Sequence, residues 1–589
     1  MNRIFSATPR PLLRRWLCSN RRSVCSFSAL RSGAAGDPEH LVLRSHYPDT
    51  PLPEAGVSQF LLSSCGRHTN RPALIDGITG RVLTYGRLID GIQRWGAVVQ
   101  ERWSPGSPPP TVGIFMRNCP DYPIIFFGTT LVGGVVTPLN PSYTAEEVAV
   151  QLADSGASLL VVEAALEAVA LKSIGLLSAR GMPPPALFLL GDSKSGNSDL
   201  RAMLEDSTAP FAKHVDVDPS SVALLAYSSG TTGQPKGVCV THSAATACCE
   251  MLCSPHFHWP IDPDVAARLL GLIPFYHIYG IVSIMLKGLK ISSTVVTLPR
   301  FQPSSFIRAL QEHKLTVMNL APPLLKFLNE SNDVKREFLQ SCHTVGCGGA
   351  PLSTSSKEKF TNKFGDGTDL YEGFGMTECI ITHGTPRIDR KLGRCGKLLP
   401  RVQAKIVDMD TGAALPPNGN GELCLKTPCM MKGYHNRPDA TRETIDEDGW
   451  LHTGDVAVHD EDGFFSIVDR IKELIKVKGF QVSPSEIENV LLKHPAIADA
   501  GVTGIPHEDY GEVPRAYIIS SKGSSVTENE INNYMKEHLA PYKQLLGGIK
   551  FVTDLPKNPS GKLLRKVLAK TAEQEESLVV ENIVPPTQL

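Results

Sequence analysis

The sequence predicts an α/β fold: a large N-terminal domain of several subdomains with mostly parallel sheets, followed by a small α+β domain at the C-terminal end. Three observations predict it. Short apolar runs recur at residues 112–116, 159–162, 186–190, 222–226 and 294–298. Each has the length and composition of a strand buried on both faces, as parallel sheets require. Stretches with helical spacing lie between several of them, residues 145–152 being one. The composition then changes after Asp469-Arg-Ile-Lys472, where lysine becomes more frequent. The roughly 115 residues beyond that point suit a small separate domain.

Bulk properties frame these elements. A chain of 589 residues exceeds what one core can hold, so two to four domains are expected. The formal net charge of -1 points to neither nucleic acid nor anionic lipid as a partner. No apolar run reaches transmembrane length. The fourteen cysteines lack the density and spacing of a secreted disulfide scaffold. Cys248, Cys249 and Cys253 with His256 and His258 hint at a metal, yet no second cluster completes a four-ligand set. Reduced, structural cysteines are expected.

From the start of the chain, residues 1–40 carry Arg3, Arg10, Arg14, Arg15, Arg21, Arg22 and Arg31 with several serines, and no acid precedes Asp37. That is the composition of a mitochondrial transit peptide. A disordered basic tail is the plainer alternative, with a cytoplasmic or peroxisomal location. The last residues, Pro586-Thr-Gln-Leu589, do not form a Ser-Lys-Leu address. Pro/Gly-dense residues 105–110 and 416–421 read as loops.

The apolar run 222–226 leads into Tyr227-Ser-Ser-Gly-Thr-Thr-Gly-Gln-Pro-Lys-Gly-Val238. Glycine lets backbone N–H groups approach phosphate oxygens closely. Ser228, Ser229, Thr231 and Thr232 add hydroxyl donors, and Lys236 adds charge. A nucleotide polyphosphate is the expected ligand. The string is not a Walker loop, because its glycine spacing differs and Gly237 follows the lysine. Near the C-terminal boundary, Ser483-Pro-Ser-Glu486 predicts a helix start with a capping box, and Ile487, Val490 and Leu491 supply one apolar face. Residues 516–519 read as a strand.

Further strings follow in order. They are Pro274-Phe-Tyr-His-Ile-Tyr279, Gly348-Gly-Ala-Pro-Leu352, Tyr371-Glu-Gly-Phe-Gly-Met-Thr-Glu378, Thr453-Gly-Asp455, Asp469-Arg-Ile-Lys-Glu-Leu-Ile-Lys-Val-Lys-Gly-Phe-Gln481 and Pro559-Ser-Gly-Lys562. Together they resemble the adenylate-forming (ANL) superfamily, nearest its acyl-CoA synthetase and 4-coumarate–CoA ligase-like branch, over roughly residues 50–570. The resemblance implies an AMP-forming acid–CoA ligase whose small-molecule partners are a carboxylic acid, ATP and coenzyme A, with Mg²⁺. After the transit peptide at 1–40 that composition predicts, it implies a large domain at 41–471, a small mobile lid domain at 472–575 and a tail at 576–589. Monomer and homodimer both stay open.

It also implies residue roles. Lys562 resembles the catalytic lysine that bridges the carboxylate and the α-phosphate, because two anions must meet there. Glu378 resembles the Mg²⁺-holding acid, and Thr377 meets the α-phosphate. Gly230 belongs to the phosphate loop. Asp455, assisted by Arg470, resembles the acceptor for the ribose hydroxyls. Gly349, Ala350 and Pro351 with Tyr371, Glu372 and Gly373 resemble the adenine slot. His277 resembles the histidine at the acyl-pocket mouth, with Tyr276, Tyr279, Gly348, Ile380 and Ile381 around it. Lys472 stands where relatives hinge, so that Lys562 leaves and Lys478 and Gly479 arrive to admit CoA. Lys476 and Gln481 match adenylate contacts of that second state, and Arg300 matches a basic residue near CoA phosphates. Cys379-Ile-Ile-Thr382 replaces the Ala-Gly-Pro of plant coumarate ligases. A medium-chain fatty acid and an aromatic acid therefore fit the pocket equally well.

Overall fold

The computed structural model describes residues 39–583 apart from 105, 192–198, 229–234, 259–266, 350, 351, 353, 366, 392, 479, 508, 509 and 558–560. All five apolar runs form strands. Thr111–Phe115, Leu159–Glu163, Ala186–Leu190 and Val222–Ser228 join Val135–Pro138 in one sheet of parallel pairings. Lys236–Thr241 and Gly433–Tyr434 extend its edge in antiparallel fashion. Thr294–Thr297 lies within a second, nine-stranded sheet, between Arg268–Gly271 and Pro72–Asp76. Parallel pairing there continues through Val317–Leu320, Thr344–Cys347 and Asp369–Phe374.

The central strands Thr111–Phe115 and Leu159–Glu163 are almost entirely buried, whereas Ala186–Leu190 is half-buried over its first three residues. The helix Ala145–Ser155 starts on a capping box between Thr144 and Glu147 and ends at Gly156, whose φ of 62° is left-handed. Val112, Ile114, Leu160 and Val161 are each 0 % exposed. Each such side chain contributes about 1.5–3 kcal/mol relative to leaving it in water.

A third sheet departs from the parallel expectation. Leu43–Arg44, Gln403–Val407, Gly421–Lys426, Leu451–His459 and Phe465–Arg470 pair antiparallel throughout. Gln403–Val407 and Gly421–Lys426, and likewise Leu451–His459 and Phe465–Arg470, follow one another with no helix between, and antiparallel neighbours need no crossover. Gly421 opens a strand rather than closing a loop.

The C-terminal residues form their own sheet, in which Ile475–Val477, Phe480–Val482, Ile497–His507, Gly511–Ser520 and Ile549–Phe551 pair. Ile475, Val502, Ile518 and Met535 centre a core cluster separate from the larger one. The protein thus has a large N-terminal domain and a small C-terminal one. The helix Pro484–Leu491 is capped by Ser483, whose Oγ accepts from the Glu486 N–H at 3.1 Å. The capping box does not close, because the Glu486 carboxylate instead takes Lys543 Nζ at 2.6 Å. Asp469 reinforces this start, accepting from Ser483 Oγ at 2.7 Å and from the Ser485 N–H at 2.9 Å. Among the described residues no helix is long and apolar enough to cross a membrane.

Candidate active site

A cavity of about 1670 Å³ opens between the sheets of the large domain and the C-terminal domain. Ser228 and Lys236 meet at its edge, where they pair in register across the antiparallel strands they end and begin. The residues between them include Ser229, Gly230, Thr231 and Thr232, which lie outside the described residues, as do Ala350, Pro351 and Gly479. Lys236 Nζ stands 4.9 Å from the centre of the Tyr434 ring.

Glu378 is 6 % exposed and lines the cavity with Thr377. Its Oε1 accepts from Tyr434 OH at 2.9 Å and from Ser228 Oγ at 3.4 Å. Oε2 is left over. An oxygen donor so held fits a hard divalent cation, which keeps much of its own water. Tyr434 is far from Glu378 in sequence, and nothing in its local string marks it.

Asp455 and Arg470 face one another across neighbouring strands. Arg470 Nε forms an ion pair with Asp455 Oδ1 at 2.9 Å. Asp455 Oδ2 is buried without a hydrogen-bond partner. A buried orphan acceptor costs about 1–3 kcal/mol, and a ligand hydroxyl would recover it. Burial raises the Asp455 pKa, with Arg470 and then Lys562 opposing. Asp455 itself does not line the cavity, but its neighbours Thr453 and Gly454 and its partner Arg470 do.

Lys562 reaches the same cavity from the C-terminal domain. Burial lowers its pKa, and the nearby positive charge of Arg470 adds to that, while Glu473 and Asp455 oppose. Arg565, three residues on, anchors this segment. It donates to Glu473 Oε2 at 2.9 Å, Glu488 Oε2 at 2.9 Å, Ser485 Oγ at 2.8 Å and the Val502 carbonyl at 3.1 Å. Lys472, Lys476 and Gln481 also line the cavity. The two-state expectation separated Lys562 from Lys476 and Gln481, whereas here all three border one space. They do so because Lys476 and Gln481 pair across one hairpin that faces the cavity. Lys478 sits outside it at the hairpin tip, with φ 49° and its ammonium 4.1 Å from the Tyr510 ring centre. Arg300 is exposed and lies outside the cavity.

The slot residues converge on the cavity as Gly348 and Gly349 on one side and Tyr371, Glu372 and Gly373 on the other. Glu372 is tied by an ion pair to Lys357, which is only 2 % exposed and comes from the helix Thr354–Phe364. Burial raises the Glu372 pKa and Lys357 opposes it. A β-carbon at Gly373 would press on the His383 carbonyl oxygen at 2.8 Å, so the backbone approach there excludes a side chain.

The segment bearing Tyr276 and His277 is pinned by Asn118. Its Nδ2 donates to the Gly271 and Ile273 carbonyls at 3.0 and 2.9 Å, and its Oδ1 accepts from the Phe275 N–H at 2.7 Å. His277 is exposed to the cavity, and the protein packed around its ring lowers its pKa by desolvation. Nδ1 accepts from the Tyr279 N–H at 3.2 Å, which leaves the proton of the neutral ring on Nε2. Tyr279 OH donates to Asn319 Oδ1 at 3.2 Å. Burial pushes the Tyr276 phenol up to about 12.

Ile380 and Ile381 line this end. Ile380 has φ 59°, a left-handed conformation that is an outlier for a β-branched residue. Cys248 and Cys249 are buried free thiols. Among the described residues the one trio with metal-ligand spacing is Glu422, Cys424 and His452. There His452 already bridges Glu422 at 2.8 Å and Asp446 at 3.2 Å.

Comparison with known proteins places this geometry in a family. The model for the AMP-binding enzyme matches residues 61–435, and that for the AMP-binding enzyme C-terminal domain matches 486–562. The chain is 36 % identical to 4-coumarate–CoA ligase 3 of Oryza sativa subsp. japonica, over 91 % of this chain and 96 % of the relative. It is 35 % identical to peroxisomal OPC-8:0-CoA ligase 1 of Arabidopsis thaliana, over 91 % and 96 %. The ATP-bound structure of MatB from Rhodopseudomonas palustris superposes with a TM-score of 0.79 at 26 % identity, covering 88 % of this chain and 99 % of that one. The chain belongs to the AMP-binding enzyme family, in its acyl-CoA synthetase and 4-coumarate–CoA ligase-like branch.

Proposed function

We propose that this ATP-dependent, AMP-forming acid–CoA ligase acts on a carboxylic acid with an apolar body, a medium-chain fatty acid or an aromatic acid, through Lys562, Glu378, Asp455 and His277. The observation that carries the reading is that Lys562, Glu378, Arg470 and His277 border one cavity although they are scattered over nearly 300 residues. In the first step a carboxylate oxygen bonds to the α-phosphorus and the bond to pyrophosphate breaks. Two anions meet, and the Lys562 ammonium offsets their repulsion. Glu378 would hold Mg²⁺, which when bound would neutralise charge on the phosphates. Asp455 accepts from the ribose hydroxyls, and the glycine-lined slot takes adenine. Nε2–H of His277 faces the carboxylate.

In the second step the CoA sulfur bonds to the acyl carbon, the acyl–phosphate bond breaks, and AMP leaves. We assign the change between steps to a rotation of residues 472–575 against 41–471 about Lys472, which brings Lys478 and Gly479 to the site. The separate hydrophobic core of the C-terminal residues supports such a body. Residues 1–40 we assign to mitochondrial targeting, and deleting them is expected to abolish import while sparing activity.

The test is AMP release with and without CoA across fatty acids from short to long and a set of cinnamates and benzoates. CoA-dependent release with an apolar acid supports the reading. Release that never depends on an added acid overturns it.

A further inference from the structure

The acyl end of the cavity is not uniformly apolar. Its wall beyond His277 is the π-helix Gly280–Leu286, which runs into the helix Lys287–Lys290. π-helical turns are rare and frequently mark functional sites. Ser283 and Lys287, four residues apart on this wall, both line the cavity, and His258 joins them from a neighbouring segment. Around them stand Leu252, Phe257, Leu269 and Val317.

Ser283 is 8 % exposed, and among the described residues its Oγ has no hydrogen-bond partner. Among the described residues no ion pair involves Lys287, whereas Lys290 reaches Glu250 at 3.8 Å. Lys287, Lys290 and Glu250 all act on Cys253, so this wall sets one acid against two lysines. His258 is pushed down to about 3 by burial and then by Lys287 and Arg387. An ammonium facing an apolar space is costly unless an anion meets it. Lys287 lies ten residues beyond His277, so helical rise separates them by on the order of 10–15 Å. That span suits a short apolar chain between two charged ends.

We infer that Lys287 and Ser283 bind a second carboxylate, and that the preferred substrates are α,ω-dicarboxylic acids whose remote end reaches this pair. The inference rests on the ligase reading above and names its substrate class. The remote carboxylate stays ionised and unreacted, with its oxygens accepting from the Lys287 ammonium and the Ser283 hydroxyl. A phenol or ketone at this end would satisfy Ser283 but leave Lys287 without a counterion.

The experiment measures kcat/KM for CoA-dependent AMP release by the full chain. It compares adipate, suberate and sebacate with hexanoate, octanoate and decanoate, and includes coumarate. At one or more lengths the diacid is expected to exceed its monoacid by about tenfold or more. In Lys287→Met the diacid-to-monoacid ratio is expected to fall by about tenfold or more, chiefly through KM. Preference for the monoacid at every length, or for coumarate over every diacid, would overturn the inference and leave the ligase reading standing. So would an unchanged ratio in Lys287→Met. No AMP release with any acid would overturn both.

Discussion

Gly561 rests against the ring of Pro323: a β-carbon at 561 would overlap the proline Cγ and Cδ atoms. The backbone there is left-handed, at φ 80°. Gly561 comes from the C-terminal domain and immediately precedes Lys562, while Pro323 is the second residue of the helix Pro322–Glu330 of the large domain. The contact is thus where the lysine-bearing segment seats on the N-terminal body.

Gly561→Ala meets two obstacles, the steric overlap and a left-handed cost of about 1–2 kcal/mol. We expect acid-dependent pyrophosphate exchange to fall about tenfold or more, with the reaction of preformed acyl-adenylate and CoA less affected. Adding Pro323→Gly is expected to recover part of the exchange. Equal loss in both half-reactions, with no recovery in the double variant, would contradict the seating role.

Arg565 holds Glu473, Glu488 and Ser485 together just behind Lys562. Arg565→Met leaves Glu488 buried without its cation, an arrangement that costs about 3–5 kcal/mol. Denaturant unfolding is expected to show that loss. Arg565→Lys keeps the charge but not the fork of donors, and an intermediate value is expected. A stability equal to that of the parent in both variants would refute the anchoring.

The alkaline limb of adenylation is expected to report Lys562. Burial lowers its pKa below the ordinary 10.5, and only the ammonium offsets the anions. Activity therefore falls as pH rises through that lowered value. Whatever exchange Lys562→Arg retains is expected to lose this limb, because guanidinium stays charged. Rate profiles from neutral to alkaline pH make the comparison, and an identical limb in both proteins would contradict the assignment.

Ile380→Gly removes a φ of 59° from a β-branched residue and also removes a buried side chain. Loss of packing costs about 2–5 kcal/mol and relief of the backbone returns about 1–2, so a net loss of about 0–4 is expected. The pocket gains room, and kcat/KM is expected to shift toward bulkier acids. Thermal unfolding and a paired octanoate and cinnamate assay decide it.

Much of the parallel framework was legible because buried strands write themselves as unbroken apolar runs, as at Thr111–Phe115 and Val222–Ser228. The antiparallel sheet was not. Leu451–His459 alternates buried and half-buried positions, and its polar residues Thr453 and Asp455 mask it as a strand. The site followed the same division. Lys562, Glu378 and His277 were readable from compact strings, and all three line one cavity. The partners that hold the site came from elsewhere in the chain. Tyr434 bonds Glu378 across 56 residues, and Arg565 reaches back to Glu473 across 92. Lys357 is an ordinary lysine of a polar helix until the fold buries it against Glu372. Such pairings depend on which strands become neighbours, and no local spacing encodes that.

The claim that Lys562 serves adenylation alone is tested most directly by splitting the reaction in Lys562→Ala. The account predicts that acid-dependent pyrophosphate exchange falls by about a hundredfold or more, while preformed acyl-adenylate still gives the CoA thioester at near the parent rate. A parallel fall in both half-reactions, or exchange at the parent level, would contradict it.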